Sequence, residues 1–261
     1  MLIALASLNP SWENKTENLL ACGQHFRKAK SLNAELIIFP EMTLTGFSMN
    51  IGVTAEEKDS SPTFNSFSEL SSKYKIGVVY GVVFRQNLKA TNNAIFLNKS
   101  GEIIGLYKKI HPFSFSGEDK YFEGGEEILS VSFGSLRIGV TICYDLRFPE
   151  IYSALGVTSD LIINIANWPE KRIEHWITLL KARAIENQVF IAGVNRIGND
   201  QNSLDYVRSS IVVKPNGDVL EPKFSIGNLD IFEIDQSFIS KLRSQFSTTQ
   251  DRRPDLYKRI L

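Results

Sequence analysis

Short apolar runs alternate with amphipathic stretches along the whole chain. The runs predict strands at 2–8, 36–39, 76–84, 92–98, 102–108, 129–133, 136–142, 161–165, 189–194, 207–213 and 229–234. Apolar residues three and four apart predict helices at about 14–31, 63–73, 149–155, 172–187 and 236–244. The clearest stripes are Leu19, Cys22, Phe26 and Ala29 in the first helix, and Ile173, Trp176, Ile177, Leu180 and Ala184 in the fourth. Hairpin turns are expected at Lys99-Ser100-Gly101 and at Pro215-Asn216-Gly217-Asp218. A βα step followed by a ββ step occurs twice, which points to an α/β fold built in two similar halves. No Pro/Gly/Ser-rich linker or charge block divides the chain, so one domain over 1–261 is expected.

Composition narrows the function classes. Lys plus Arg and Asp plus Glu are equal at 29 each, so net charge gives no support to nucleic-acid binding. With 43% hydrophobic residues a buried core is expected. The stretch Met1 to Leu8 lacks a basic flank and is too short for a membrane span, so it reads as the first strand. The basic C-terminal stretch is interrupted by acids and reads as a solvated or subunit-facing tail. Cys22 falls on a core-facing stripe and Cys143 at the end of a strand, which suggests no disulfide framework and fits a reducing cytoplasm. His25, His111 and His175 lie far apart without metal-ligand spacing, and no phosphate-binding glycine loop occurs, so neither a metal nor a cofactor is expected.

Polar residues sit where three apolar runs end. Cys143 follows Leu136 to Ile142 and precedes Pro149 and Glu150, a helix-opening pair. A strand–turn–helix step presents a side chain at the sheet edge, as in a nucleophile elbow, and a nearby helix start would favour the thiolate. Free cysteines are more often buried structural thiols, so this segment alone leaves both readings open. Glu41 follows Leu36 to Phe39 and Pro40, a residue that stops sheet pairing. Lys108 and Lys109 follow Ile103 to Tyr107 and point to opposite faces, and alternation does not say which one matters. Singly, each is as well explained by a solvated loop or a charged strand edge. Together, a Glu, a Lys and a Cys lie at strand carboxyl ends, where open α/β folds gather their ligands. Pairing Cys143 with His111 or His175 would leave Glu41 and Lys109 without a role.

These segments resemble the nitrilase superfamily of carbon–nitrogen hydrolases. The matching stretches are Phe39-Pro40-Glu41-Met42, Tyr107-Lys108-Lys109-Ile110-His111, Ile142 to Pro149, Asn167-Trp168-Pro169, Ala182 to Asn187 and Pro215 to Asp218. Several motifs in order are far more specific than one. Ile165 to Pro169 and Ala192 to Gly198 are similar to the ω-amidase branch. The resemblance implies a four-layer α-β-β-α sandwich, a homodimer and a small-molecule amide as substrate. It implies Cys143 as nucleophile, Glu41 as general base and Lys109 as oxyanion donor, aided by the backbone N–H of Tyr144. It also implies Glu118 as a second acid that orients the lysine, with Asp119 and Glu123 as competitors.

An ω-amidase hydrolyses the terminal amide of a short dicarboxylic acid monoamide such as 2-oxoglutaramate. Its distal carboxylate calls for a bidentate cation, for which Arg147 is the first candidate; a structural pair with Asp145 or Glu150 explains it equally well. Asn167 and Trp168 would line the pocket. The alternatives are another superfamily substrate, such as an N-carbamoyl amine or a deaminated-glutathione-type amide, or an interaction protein on the same fold. Where relatives carry a glycine in a Tyr-x-Gly-x-Ser stretch, this chain has Arg208, which predicts a differently shaped loop at 199–208.

Overall fold

The computed structural model of the protein describes residues 1–260. The first half holds β1 (Leu2–Ala6), α1 (Lys15–Ser31), β2 (Leu36–Ile38), α2 (Ile51–Thr54), α3 (Pro62–Tyr74), β3 (Gly77–Gln86), β4 (Lys89–Leu97) and β5 (Ile103–Lys108). Then come α4 (Glu118–Tyr121), β6 (Leu129–Phe133), β7 (Leu136–Ile142), α5 (Pro149–Thr158), β8 (Leu161–Ala166), α6 (Ile173–Asn187) and β9 (Phe190–Asn195). The chain continues through β10 (Gly198–Asn199), β11 (Asp205–Tyr206), β12 (Ile211–Val213), β13 (Val219–Leu220), β14 (Phe224–Ile226), β15 (Leu229–Glu233), α7 (Gln236–Gln245) and α8 (Pro254–Ile260).

Two mixed sheets form, ordered β14-β15-β1-β2-β3-β4-β5 and β13-β12-β9-β8-β7-β6. Period-two alternation assigns the faces of the first sheet. Ile3, Leu5, Leu36, Ile38, Ala94 and Phe96 pack with Ile138, Val140 and Ile142 of the second sheet, whereas Ala4, Ile37, Ile95 and Leu97 pack with Phe26 of α1 and Phe67 of α3. On the outer face of the second sheet, Thr141 Oγ1 and Tyr152 OH of α5 lie 2.7 Å apart and both accept from Asn164 Nδ2. Trp176 and Leu180 of α6 close onto Gly193, where a Cβ would lie 2.5 Å from Leu180 Cδ1. Helices therefore cover the outer face of each sheet, the α-β-β-α sandwich.

The strands and long helices lie where the apolar pattern places them, with three differences. The strand expected over 207–213 begins at Ile211, because the Ser210 hydroxyl accepts from the Asn195 N–H and donates to the Asn195 carbonyl, replacing the ladder there. Tyr206 belongs instead to the β10–β11 ribbon. The short elements α2, α4, α8, β13 and β14 carry too few residues for a periodic signal. The tail is not simply solvated: Arg252 donates to Ser153 O of α5 and to Asn187 Oδ1 of α6, and Gln188 Nε2 to Phe246 O. Among the described residues no helix is long and apolar enough to cross a membrane.

Candidate active site

At the end of β7, Cys143 has φ +46°, a left-handed conformation that L-residues adopt at a cost, and it starts a tight 3-10 turn to Arg147. Side chains from two other elements brace this turn. Asp145, wholly buried, accepts from Tyr107 OH at 2.8 Å and Ile142 N at 3.0 Å through Oδ2, and from His111 N through Oδ1. Arg183 of α6 donates twice to Leu146 O. His111 Nδ1 lies 3.0 Å from Asp145 Oδ1, and His175 Nδ1 lies 3.2 Å from Arg147 Nη2, so each ring is engaged away from the thiol. The Cys143 sulfur has one long polar contact, 3.9 Å to Asn167 O.

Glu41, just beyond β2, is 1% exposed. Its backbone can sit against β3 because residue 81 is glycine: a Cβ there would lie 2.2 Å from Met42 N. Oε1 accepts from Lys109 Nζ at 2.9 Å and Asn92 Nδ2 at 2.7 Å. Oε2 accepts from Asn167 N at 3.0 Å and Asn167 Nδ2 at 3.3 Å, while the same Nδ2 donates to Glu41 O at 2.8 Å. Lys109 Nζ also lies 2.8 and 3.1 Å from the two carboxylate oxygens of Glu118, which is 0% exposed. Of the competing acids, Glu123 stands 3.8 Å from Lys108 Nζ and Asp119 is exposed, so Glu118 alone joins the array. Lys108 and Lys109 face apart, and Lys109 is the inward one.

Burial works against a charge on Lys109, but the carboxylates of Glu118 and Glu41 outweigh it and raise the ammonium above the usual lysine range. At Cys143 burial, then Glu41, push the thiol well above its ordinary value, with Lys109 opposing. These effects favour the thiol over the thiolate. The helix-start effect that would favour the thiolate is weak here, since α5 starts only at Pro149 and the groups acting on the sulfur include two carboxylates. A thiol, an acceptor carboxylate and a fixed cation at one point can carry out nucleophilic acyl transfer if the carboxylate removes the proton.

The sulfur opens into a cavity of about 210 Å³, walled by Phe47, Met49, Phe113, Trp168, Leu204 and Tyr206. That is below the roughly 300–1,000 Å³ usual for drug-sized ligands, so the occupant is small. Tyr144, Arg147 and Asn167 line it as well. Arg147 makes no ion pair with Asp145 or Glu150; its guanidinium lies 4.9 Å above the Trp168 ring. Trp168 packs on Trp176 at 5.4 Å and donates through Nε1 to Arg172 O, so it serves both wall and core. No acidic side chain lines the cavity, whereas a second guanidinium, Arg172, reaches it across Phe113.

Sequence reasoning missed Asn92, Arg172, Phe47, Phe113 and Tyr206. Asn92 lies in an expected strand, and only its inward register would have marked it. The others converge from distant loops with no local motif. Arg196 was also missed: it is 0% exposed, lies 4.5 Å from the Tyr206 ring behind the wall, and its Nη1 has no partner. Arg208 does not take a left-handed backbone; it donates to both oxygens of Asp230, tying the segment before β12 to the first sheet.

Comparison with known proteins agrees with this geometry. The family model "Carbon-nitrogen hydrolase" matches residues 2–243. A 2-oxoglutaramate amidase of Bacillus subtilis is 30% identical over 98% of this chain and 98% of its own. An omega-amidase of Escherichia coli strain K12 is 31% identical over 83% of this chain and 84% of its own. A CN-hydrolase superfamily crystal structure from Xanthomonas campestris, with an arsenic adduct in its active site, superposes with TM-score 0.89 at 28% identity, covering 97% of each chain.

Proposed function

We propose, from the premise that this chain belongs to the carbon–nitrogen hydrolase family and is an amidase cleaving carbon–nitrogen bonds other than peptide bonds, that its substrate is a short dicarboxylic acid monoamide of the 2-oxoglutaramate kind. One observation carries the reading: an acid-free cavity lined by two arginines reaches Cys143, whose thiol lies within the field of the buried Glu41–Lys109–Glu118 array. Because Glu41 and Asn167 meet across the two sheets, the site needs both, and the chain acts as one catalytic domain.

Glu41 takes the thiol proton as Cys143 Sγ bonds to the amide carbon. The carbonyl oxygen becomes an oxyanion, stabilised by Lys109 Nζ and the backbone N–H of Tyr144. The carbon–nitrogen bond breaks as Glu41 passes its proton to the leaving nitrogen, and ammonia departs from a thioester. Water then gives a proton to Glu41 and bonds to the carbon. The carbon–sulfur bond breaks, and the proton returns to sulfur.

Arg147 and Arg172 hold the free carboxylate at the far end. 2-Oxoglutaramate or succinamate should be hydrolysed much faster than its methyl ester. Arg147→Lys should erode that preference about 10- to 100-fold in kcat/KM, the equivalent of about 1.5–3 kcal/mol for a lost charge-assisted hydrogen bond. Equal preference in both proteins would move the carboxylate away from Arg147. A panel with an N-carbamoyl amine and a deaminated-glutathione-type amide tests the alternatives; the small cavity disfavours the longer of these.

The protein is also expected to be a homodimer. Ile151, Tyr152 and Leu155 of α5 are buried in the core of their own chain and offer no pairing face. The large apolar residues left outside on α5 and α6 are Val157 and Ile185, exposed by 62% and 53%. Light scattering at micromolar concentration should give twice the 29.4 kDa chain mass, and Val157→Glu with Ile185→Glu should reduce it to the monomer. A monomeric wild type would overturn this.

A further inference from the structure

We propose that Asn92 is a positioning residue for the reaction: its side-chain amide holds the two buried carboxylates at one lysine and so frees an ammonium proton for the oxyanion. The inference rests on Glu41 and Lys109 acting as described above. Asn92 Nδ2 carries two protons, and two carboxylate oxygens lie within reach, Glu41 Oε1 at 2.7 Å and Glu118 Oε1 at 3.0 Å. The opposite orientation of the amide would set an oxygen against two carboxylate oxygens, so the contacts themselves fix which atom is nitrogen. Asn92 Oδ1 is left buried without a partner, a cost that a residue serving only as a strand filler would avoid by using Leu or Val.

The same residue grips the lysine's backbone. Lys109 lies one residue past the end of β5, and its N–H donates to Asn92 O at 2.9 Å. Asn92 thus sets the height of Lys109 above the sheet and the separation of the acids on either side. The ammonium has three protons and three carboxylate contacts, one to Glu41 and two to Glu118. It shares two of the oxygens involved, Glu41 Oε1 and Glu118 Oε1, with Asn92. With a neutral donor already on each, Lys109 can turn one proton toward the developing oxyanion without stranding a carboxylate. A hydroxyl in its place has one proton to give, and a carboxylate adds repulsion.

Steady-state ammonia release by Asn92→Ser, Asn92→Ala and Asn92→Asp, with Glu41→Gln and Asn93→Ala as references, tests the idea. Asn93 donates to Thr91 and Val82 instead, outside the site, so Asn93→Ala should keep its kcat per folded molecule. Asn92→Ser, with one proton left, should retain more kcat than Asn92→Ala, which should lose on the order of 10- to 100-fold with KM nearly unchanged. Asn92→Asp is isosteric but puts a third carboxylate beside Glu41, Glu118, Lys109 and Cys143. It should move the acid limb of the kcat/KM profile to higher pH, and with it the acid limb for iodoacetamide alkylation of Cys143. A residue that merely fills the strand would lower the melting temperature and move neither limb. Unshifted limbs, or an Asn92→Ala kcat like wild type while Glu41→Gln is inactive, would overturn the proposal. An active Glu41→Gln would instead overturn the mechanism it rests on.

Discussion

Cys143→Ala is expected to abolish ammonia release while leaving the fold in place. The sulfur's polar contact is a long one, 3.9 Å to Asn167 O, and the change to alanine removes a single atom at the mouth of the cavity. The turn around it is held by Asp145, Tyr107 and Arg183, none of which touches the sulfur. Alanine and cysteine bear the strain of φ +46° alike. Circular dichroism and the melting temperature should therefore stay close to wild type, with turnover at background. Cys22 gives the contrast. It is wholly buried on α1, and burial holds its thiol far above the ordinary value, so it is protonated and inert. Cys22→Ala should cost about 1 kcal/mol of stability, as for a typical core change, and leave kcat per folded molecule unaltered. Iodoacetamide should label one cysteine in wild type and in Cys22→Ala, and none in Cys143→Ala. Turnover by purified Cys143→Ala would sink the covalent mechanism.

The second large effect belongs to Lys109. Lys109→Ala should lose on the order of 10²-fold or more in kcat, the usual size for removing an oxyanion donor. It should also destabilise the protein. Lys109 is the ion-pair partner of both Glu41 and Glu118, and leaving a buried charge unpaired costs about 3–5 kcal/mol. Because the two effects come together, kcat has to be normalised to the folded fraction below the melting transition. Lys108→Ala should do neither. Its ammonium is 3.8 Å from Glu123 on a partly exposed surface, where a pair contributes about 0–1 kcal/mol. If Lys108 carried the activity instead, the inward register at the end of β5 would be wrong.

The sequence by itself determined the longer strands, the long helices and the ends at which Glu41, Lys109 and Cys143 sit. Those features are local. The continuous apolar run Ile3 to Ala6, or the Ile173, Trp176 and Leu180 stripe, is written in neighbouring residues because a central strand buries both faces and a covering helix one. The choice of Lys109 over Lys108 came from a family register, since alternation separates the two lysines without saying which face is inner. Tertiary structure alone decided among Glu118, Asp119 and Glu123. Only it shows the Phe113 N–H and Lys109 converging on Glu118 while Glu123 stays beside Lys108. It alone revealed Asn92 as well, a polar residue in a strand whose importance lies in carboxylates 51 and 26 positions away. Phe47, Phe113, Arg172 and Tyr206 come from four separate segments and meet only when the two sheets close. The protonation of Cys143 belongs to this class too. A turn motif suggested a thiolate, but burial and nearby carboxylates, properties of the assembled site, favour the thiol.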